Sequence, residues 1–230
     1  MTEPSALDGP VAVLWDMDGT LVDSEKLWDV ALYEAAESLG GSLNEQQRAT
    51  LVGSNMDSTA RYLLEVTGRA ATAEAIAEMG AWIRQRTSSL FDDELPWRPG
   101  AAEALAAVRA AGIPSALVTS TERSLTELAL NTIGRDFFAV TVCGDEVDGL
   151  NKPHPRPYLK AAELLGADPA RTVAVEDSPP GAESAAAAGC AVLVVPNDVP
   201  VAPGPRRIFR GSLVGVDPAV LGEVLAAAQR

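Results

Sequence analysis

Five short, largely apolar runs separated by helix-length segments constrain this chain more than any other feature. The first, Val11-Ala12-Val13-Leu14-Trp15, has no polar side chain and stops at Asp16. Such a run suits a central parallel strand buried on both faces. Runs of the same kind lie at 115–119, 138–142, 172–175 and 191–195. Helical patterns fill the gaps at 101–111, 123–132, 158–165 and 182–188, with Gly112, Gly166 and Gly189 closing three of them. Strands alternating with helices make βαβ units and hence a parallel sheet covered on both sides. The expected fold is α/β, a Rossmann-like parallel-sheet core in three α/β/α layers.

The stretch between the first and second runs keeps a different rhythm. Helical segments begin near Glu25, Asn44, Asp57 and Ala73, separated by Gly40-Gly41, Gly53-Ser54 and Gly68, and no strand candidate interrupts them. Asn44 followed three residues later by Gln47 is the pattern of a helix cap and its box partner. Pro96 and Pro99-Gly100 mark the return to the βα rhythm. The expected organisation is a catalytic core of residues 1–24 and 95–230 with a helical cap, residues 25–94, inserted after the first strand. Hinges are expected near Val22 to Ser24 and Asp93 to Pro96.

Charge and composition remove several functions. The net charge is −14, and Arg206–Arg207 is the one cluster of basic residues, so no basic face for a nucleic-acid backbone is expected. No apolar run approaches the roughly 20 residues that span a bilayer. Met1 to Pro10 lacks a basic start and an apolar stretch, so a cytoplasmic chain, monomeric by default, is expected. Cys143 and Cys190 lack any metal-ligand spacing and read as two buried free thiols, with one structural disulfide as the alternative. His154 is the single histidine, set between prolines, which excludes paired-imidazole sites and leaves acid–base chemistry mostly to carboxylates.

In open parallel sheets ligands sit beyond the carboxyl ends of the strands. Asp16-Met17-Asp18-Gly19-Thr20 follows the first run, Thr119-Ser120 closes the second, and Glu176-Asp177-Ser178 follows the fourth. Lys152 comes after the third. Each piece alone has a plainer explanation: a turn for Asp-x-Asp-Gly, helix caps for Thr119-Ser120 and Glu176-Asp177-Ser178, a solvated loop residue for Lys152. A calcium loop is excluded, because counting from Asp16 places Leu21 and Leu27 where glycine and glutamate are needed. Gathered at one rim, the carboxylates would repel one another unless a cation joined them. Mg²⁺ suits oxygen ligands and phosphate together, with Asp16 and Asp177 as the natural direct ligands. Lys152 would balance the remaining charge, and Thr119 would hold phosphoryl oxygens.

These motifs, in this order, resemble those of the haloacid dehalogenase superfamily, in the helical-cap subgroup and its phosphatase and β-phosphoglucomutase branch. The resemblance spans nearly the whole chain and includes Glu176-Asp177-Ser178-Pro179-Pro180-Gly181. It implies that Asp16 is the nucleophile and Asp18 the acid and base. It further implies Mg²⁺ held by the Asp16 carboxylate, the Asp18 carbonyl and Asp177, with Glu176 in or beside the shell. Thr119, the Ser120 amide and Lys152 would hold phosphate.

Within that branch, β-phosphoglucomutases carry a histidine and a cap arginine where this chain has Trp28 and Met56. Asp23-Ser24-Glu25-Lys26-Leu27-Trp28 instead resembles the hexose-phosphate phosphatases. The expectation is a phosphatase acting on a small phosphorylated metabolite, a sugar phosphate by preference, with a sugar-phosphate mutase as the alternative. A dehalogenase would need no Mg²⁺, and a phospho-accepting receiver would be shorter and uncapped. Trp28, Gly53, Ser54, Asn55, Met56 and Arg61 are the cap residues expected to face the substrate, Gly53 by letting backbone approach closely.

Overall fold

The computed structural model describes residues 9–91 and 95–230. The acidic end of the cap segment and the hinge residue Asp93 lie outside the described residues, as do most of the N-terminal residues. Six strands form one sheet: β1 (Ala12–Trp15), β2 (Ser115–Val118), β3 (Val140–Val142), β4 (Thr172–Glu176), β5 (Ala191–Val194) and β6 (Arg207–Phe209). Their order is β3-β2-β1-β4-β5-β6, and every neighbouring pair is parallel. β1 is central, with Leu14 beside Ala116 on one side and Ala174 on the other.

The continuous apolar runs are explained by two buried faces. Val13, Trp15, Leu117, Val173 and Leu193 point to one side, where α5 (Ala101–Ala110), α6 (Arg123–Ile133) and α9 (Pro218–Ala228) cover them. Leu14, Ala116, Val118, Ala174 and Val192 point to the other, against α7 (Arg156–Leu165) and α8 (Pro179–Ala187). Alternate side chains thus enter different cores, and neither set can be polar.

Four helices separate β1 from α5: α1 (Glu25–Ser38), α2 (Glu45–Ala49), α3 (Met56–Val66) and α4 (Ala73–Leu90). Asn44 and Gln47 form the expected capping box. The side chains of Asn55 and Thr72 cap α3 and α4. Leu32, Leu51, Leu63, Met79 and Ile83 make a separate apolar core that also takes in Leu125 of α6. That contact and the Arg84–Glu122 ion pair, with Nε to Oε2 at 2.5 Å, join the insertion to the sheet domain. The connecting segments run side by side: Asp23 N–H donates to Pro96 O at 2.7 Å, and Arg98 N–H to Leu21 O at 2.9 Å. No helix among the described residues is long and apolar enough to cross a membrane.

Candidate active site

The carboxyl ends of β1, β2 and β4 bring the expected residues to one rim. Asp16 extends β1, its backbone N–H donating to Val175 O at 3.0 Å, so its carboxylate is fixed by the sheet. Lys152 reaches it from beyond β3. The ammonium donates to Asp16 Oδ1 and Glu176 Oε1, both at 2.6 Å, and to Val118 O at 2.9 Å. Those contacts use all three of its N–H groups. In this arrangement Lys152 orients the Asp16 carboxylate and has no donor left for phosphate. Burial alone would lower the Lys152 pKa, but Asp16 and Glu176 outweigh it and hold the group above its ordinary value.

Asp16, Glu176 and Asp177 each offer a carboxylate oxygen, all lying within 4.8 Å of one another. Burial, reinforced by Glu176 and opposed by Lys152, pushes the Asp16 carboxyl up to about 7. Burial, with Asp16 and Glu176 beside it, raises Asp177 well above the usual carboxylate range. One ammonium does not neutralise this group, and hard oxygen donors with surplus negative charge fit Mg²⁺. Gly19 is part of that fit: a Cβ there would stand 2.2 Å from Asp177 Oδ2, and φ is +78°. The three carboxylates do not offer themselves equally. Glu176 Oε1 also accepts from Tyr158 Oη at 2.5 Å, and Oε2 accepts from Ser178 Oγ at 3.1 Å. Glu176 is therefore already satisfied by protein donors, whereas Asp177 accepts one long bond from Thr20 Oγ1 at 3.3 Å.

Asp18 is held on both oxygens. Ser24 Oγ and Trp28 Nε1 donate to Oδ1 at 2.6 and 3.1 Å, and Thr121 Oγ1 and Thr119 Oγ1 donate to Oδ2 at 2.7 and 3.3 Å. Thr119 and Ser120 do not cap α6, which starts from Glu122 without a side-chain cap. Ser178 does cap α8, accepting from Gly181 N–H at 3.2 Å. Ser120 Oγ is buried without a partner in the cavity wall, where an acceptor-rich ligand would satisfy it.

An inner cavity of about 50 Å³ lies over Asp16 and Asp18, with Thr119, Ser120 and Lys152 below and Trp28, Gly53, Ser54 and Met56 of the insertion above. Asn55 and Arg61 line a wider outer pocket of about 360 Å³ instead, together with Ser120, Gly144 and Asn151. Gly53 approaches closely, as expected. A Cβ there would stand 2.9 Å from Pro180 Cγ and 3.0 Å from Ser178 Oγ. His154 lies apart from both cavities, its Nδ1 accepting from Arg156 N–H at 3.1 Å. Both cysteines are free and buried. Sequence reasoning missed Ser24, Thr121, Tyr158, Glu25 and Arg48. Ser24 and Glu25 lie in the Asp23–Trp28 stretch, but nothing local marks the Ser24 hydroxyl as turned to Asp18.

A parallel sheet with a helical insertion after its first strand, and an acid-rich rim over that strand's end, defines a hydrolase that works beneath a cap. The chain belongs to the haloacid dehalogenase-like hydrolase family, whose model matches residues 11–189, and is a phosphoric monoester hydrolase within it. It is 31% identical over 190 residues to hexitol phosphatase B of Escherichia coli K12, covering 81% of this chain and 83% of that protein. It is 32% identical over 179 residues to a phosphorylated carbohydrates phosphatase of Thermotoga maritima, covering 77% and 81%. Among solved structures, CbbY of Rhodobacter sphaeroides in complex with xylulose-1,5-bisphosphate superposes with a TM-score of 0.78 at 27% identity, over 90% of this chain and 96% of that one.

Proposed function

We propose that the chain is a Mg²⁺-dependent phosphatase of a small phosphorylated carbohydrate, acting through an aspartyl-phosphate on Asp16. The observation that carries this is the placement of a buried, lysine-oriented Asp16 carboxylate beside Asp18 at the end of the central strand. Asp16 attacks phosphorus while Asp18 gives a proton to the leaving ester oxygen, so the P–O ester bond breaks as the acyl phosphate forms. Asp18, now ionised, takes a proton from water as the water oxygen attacks phosphorus; the P–O bond to Asp16 breaks, releasing inorganic phosphate and restoring the Asp16 carboxylate. The four donors around Asp18 hold its carboxyl group in one orientation at the cavity, which supports a positioned acid and base.

Asp16, Asp177 and the Asp18 backbone carbonyl would hold the cation, with Glu176 behind them. When bound, Mg²⁺ offsets the charge of nucleophile and phosphate so that the two can approach. The partnerless Ser120 hydroxyl supports a contact to phosphoryl oxygens, and Thr119 would join it by turning its hydroxyl from Asp18. The carbohydrate assignment is supported by the names of the two phosphatase relatives and by the bisphosphate bound to the CbbY homologue. The cap residues Trp28, Gly53, Ser54 and Met56 stand where the rest of the substrate would lie, with Asn55 and Arg61 at the outer mouth.

Acid quenching of a reaction run with a phosphorylated sugar should trap one phosphoryl group on the peptide containing Asp16. Asp16→Asn should neither trap it nor release phosphate. Sustained turnover by that variant would overturn the assignment. Conversion of hexose 1-phosphate to hexose 6-phosphate without free phosphate would establish a mutase instead.

A further inference from the structure

The cap wall of the inner cavity carries charged groups that the chemistry above does not use. Glu25, in the first turn of α1, and Arg48, in α2, are 5% and 7% exposed, yet both line the cavity containing Asp16 and Asp18. Arg48 Nη2 donates to Glu25 Oε2 at 2.5 Å. Arg48 Nε lies 2.5 Å from Asp29 Oδ1, off the hydrogen-bonding line. One guanidinium thus faces two carboxylates, and the group as a whole is anionic. A buried ion pair is a weak source of stability, because desolvation of both ions offsets their attraction. Apolar side chains like the neighbouring Leu32 and Leu51 would fill this wall as well, so the pair is better explained by what enters the cavity.

A carboxylate only accepts hydrogen bonds and a guanidinium only donates them. Side by side they present an acceptor next to a donor, which adjacent hydroxyls on a carbon chain complete. Trp28, Leu51 and Met56 on the same wall supply apolar surface for the carbons, and the paired hydroxyls of Ser54 and Thr59, 3.1 Å apart, add polar contacts. The charge of Arg48 is already matched, so nothing on this wall complements a second phosphate or a carboxylate. Resting on the phosphatase assignment, we infer that the Glu25–Arg48 pair is a subsite that reads the hydroxyls of a neutral, polyhydroxylated leaving group. The same pair disfavours phosphate esters that carry a second anionic group. Glu25 and Arg48 are specificity residues; neither touches the reacting atoms.

The test compares kcat/KM for a hexitol 6-phosphate, phosphoglycolate and a ketose 1,5-bisphosphate. The proteins are the wild type, Glu25→Gln and the double variant Glu25→Leu/Arg48→Met. The wild type should favour the hexitol phosphate over the other two by about tenfold or more, the scale on which unmet polar groups discriminate. Glu25→Gln removes the surplus negative charge from the wall, leaving Arg48 matched by Asp29 alone, so the ratio should fall about tenfold, with activity on phosphoglycolate rising. The double variant keeps side-chain volume and leaves without its partner only Asp29, whose side chain is 40% exposed and open to water, so it tests the subsite even where Glu25→Gln is unstable. Its ratio should fall toward one while its melting temperature holds. A folded double variant with the wild-type ratio, or a wild type that prefers the bisphosphate, overturns the subsite alone. Failure of the wild type to release phosphate from any of the three esters in Mg²⁺ overturns the phosphatase assignment and the subsite together.

Discussion

The indole Nε1 of Trp28 donates to Asp18 Oδ1 at 3.1 Å, tying the first helix of the cap to the first loop of the core. The ring also meets Phe91 edge-on, with centroids 6.1 Å apart. Trp28→Phe keeps the packing and removes the hydrogen bond, a loss of about 1 kcal/mol. If that bond aims Asp18, kcat should fall by about fivefold with little change in KM, which steady-state kinetics on a sugar phosphate would register. An unchanged kcat would reduce Trp28 to a packing residue.

Removal of the cation should be felt in both activity and stability. EDTA should silence the enzyme and Mg²⁺ restore it; indifference to chelation would point to metal-free chemistry. In the metal-free chain the raised Asp16 and Asp177 carboxyls bind protons more tightly than they do unfolded. Their contribution to stability is present below the ordinary carboxylate range and is lost as pH rises through about 7 for Asp16. Mg²⁺ displaces those protons, so its effect on melting temperature should be larger at pH 8 than at pH 6. Asp177→Asn should raise the metal-free melting temperature, because one buried charge is gone, and should abolish the response to Mg²⁺. Calorimetry across that pH range decides both.

The fold was legible wherever burial left a simple pattern. β1, β2, β4 and β5 are apolar on both faces, so their runs stand out. β3 starts at Val140 and not at Phe138, since Phe138 follows a short 3₁₀ turn, Arg135–Phe137, and packs into the core from outside the ladder. β6 escaped because it is a partly exposed edge strand of three residues, Arg207-Ile208-Phe209, with no apolar run to announce it. α9 does carry a start signal, Asp217 capping with Pro218 at the first helical position. The rim motifs were readable because a parallel sheet gathers whatever follows its strands. The clamp on Asp18 was not, since Thr121 reaches it across a sequence separation of 103 residues. Glu25 and Arg48 look like solvated helix residues until the helices pack and turn them inward.

The two thiols make a prediction independent of catalysis. Burial pushes Cys143 and Cys190 up to about 11 from an ordinary 9.0. Both should resist alkylation at pH 8 in the native protein and react once it is unfolded. Their contribution to stability is complete below pH 9 and is lost as pH climbs through 11, because the unfolded thiols ionise first. Urea midpoints should fall across that interval, and the double variant Cys143→Ala/Cys190→Ala should show a shallower fall.

Gly53 and Gly68 allow cap closure to be separated from backbone strain. Both are left-handed, at φ +74° and +73°. An added Cβ carries a similar conformational cost at either place, about 1 kcal/mol. Their surroundings differ: at Gly53 it would meet Pro180 and Ser178 of the core at 2.9 and 3.0 Å, whereas at Gly68 nothing lies within 4 Å. Gly53→Ala should therefore hold the cap off the rim, leave water in the site and lower kcat/KM by about tenfold or more, the scale expected when a reacting group is misplaced by about an ångström. Gly68→Ala should lose only the shared backbone cost of about 1 kcal/mol and keep wild-type kcat/KM. Equal losses of activity in the two variants would mean that closure at Gly53 is not what the enzyme uses to shut its site.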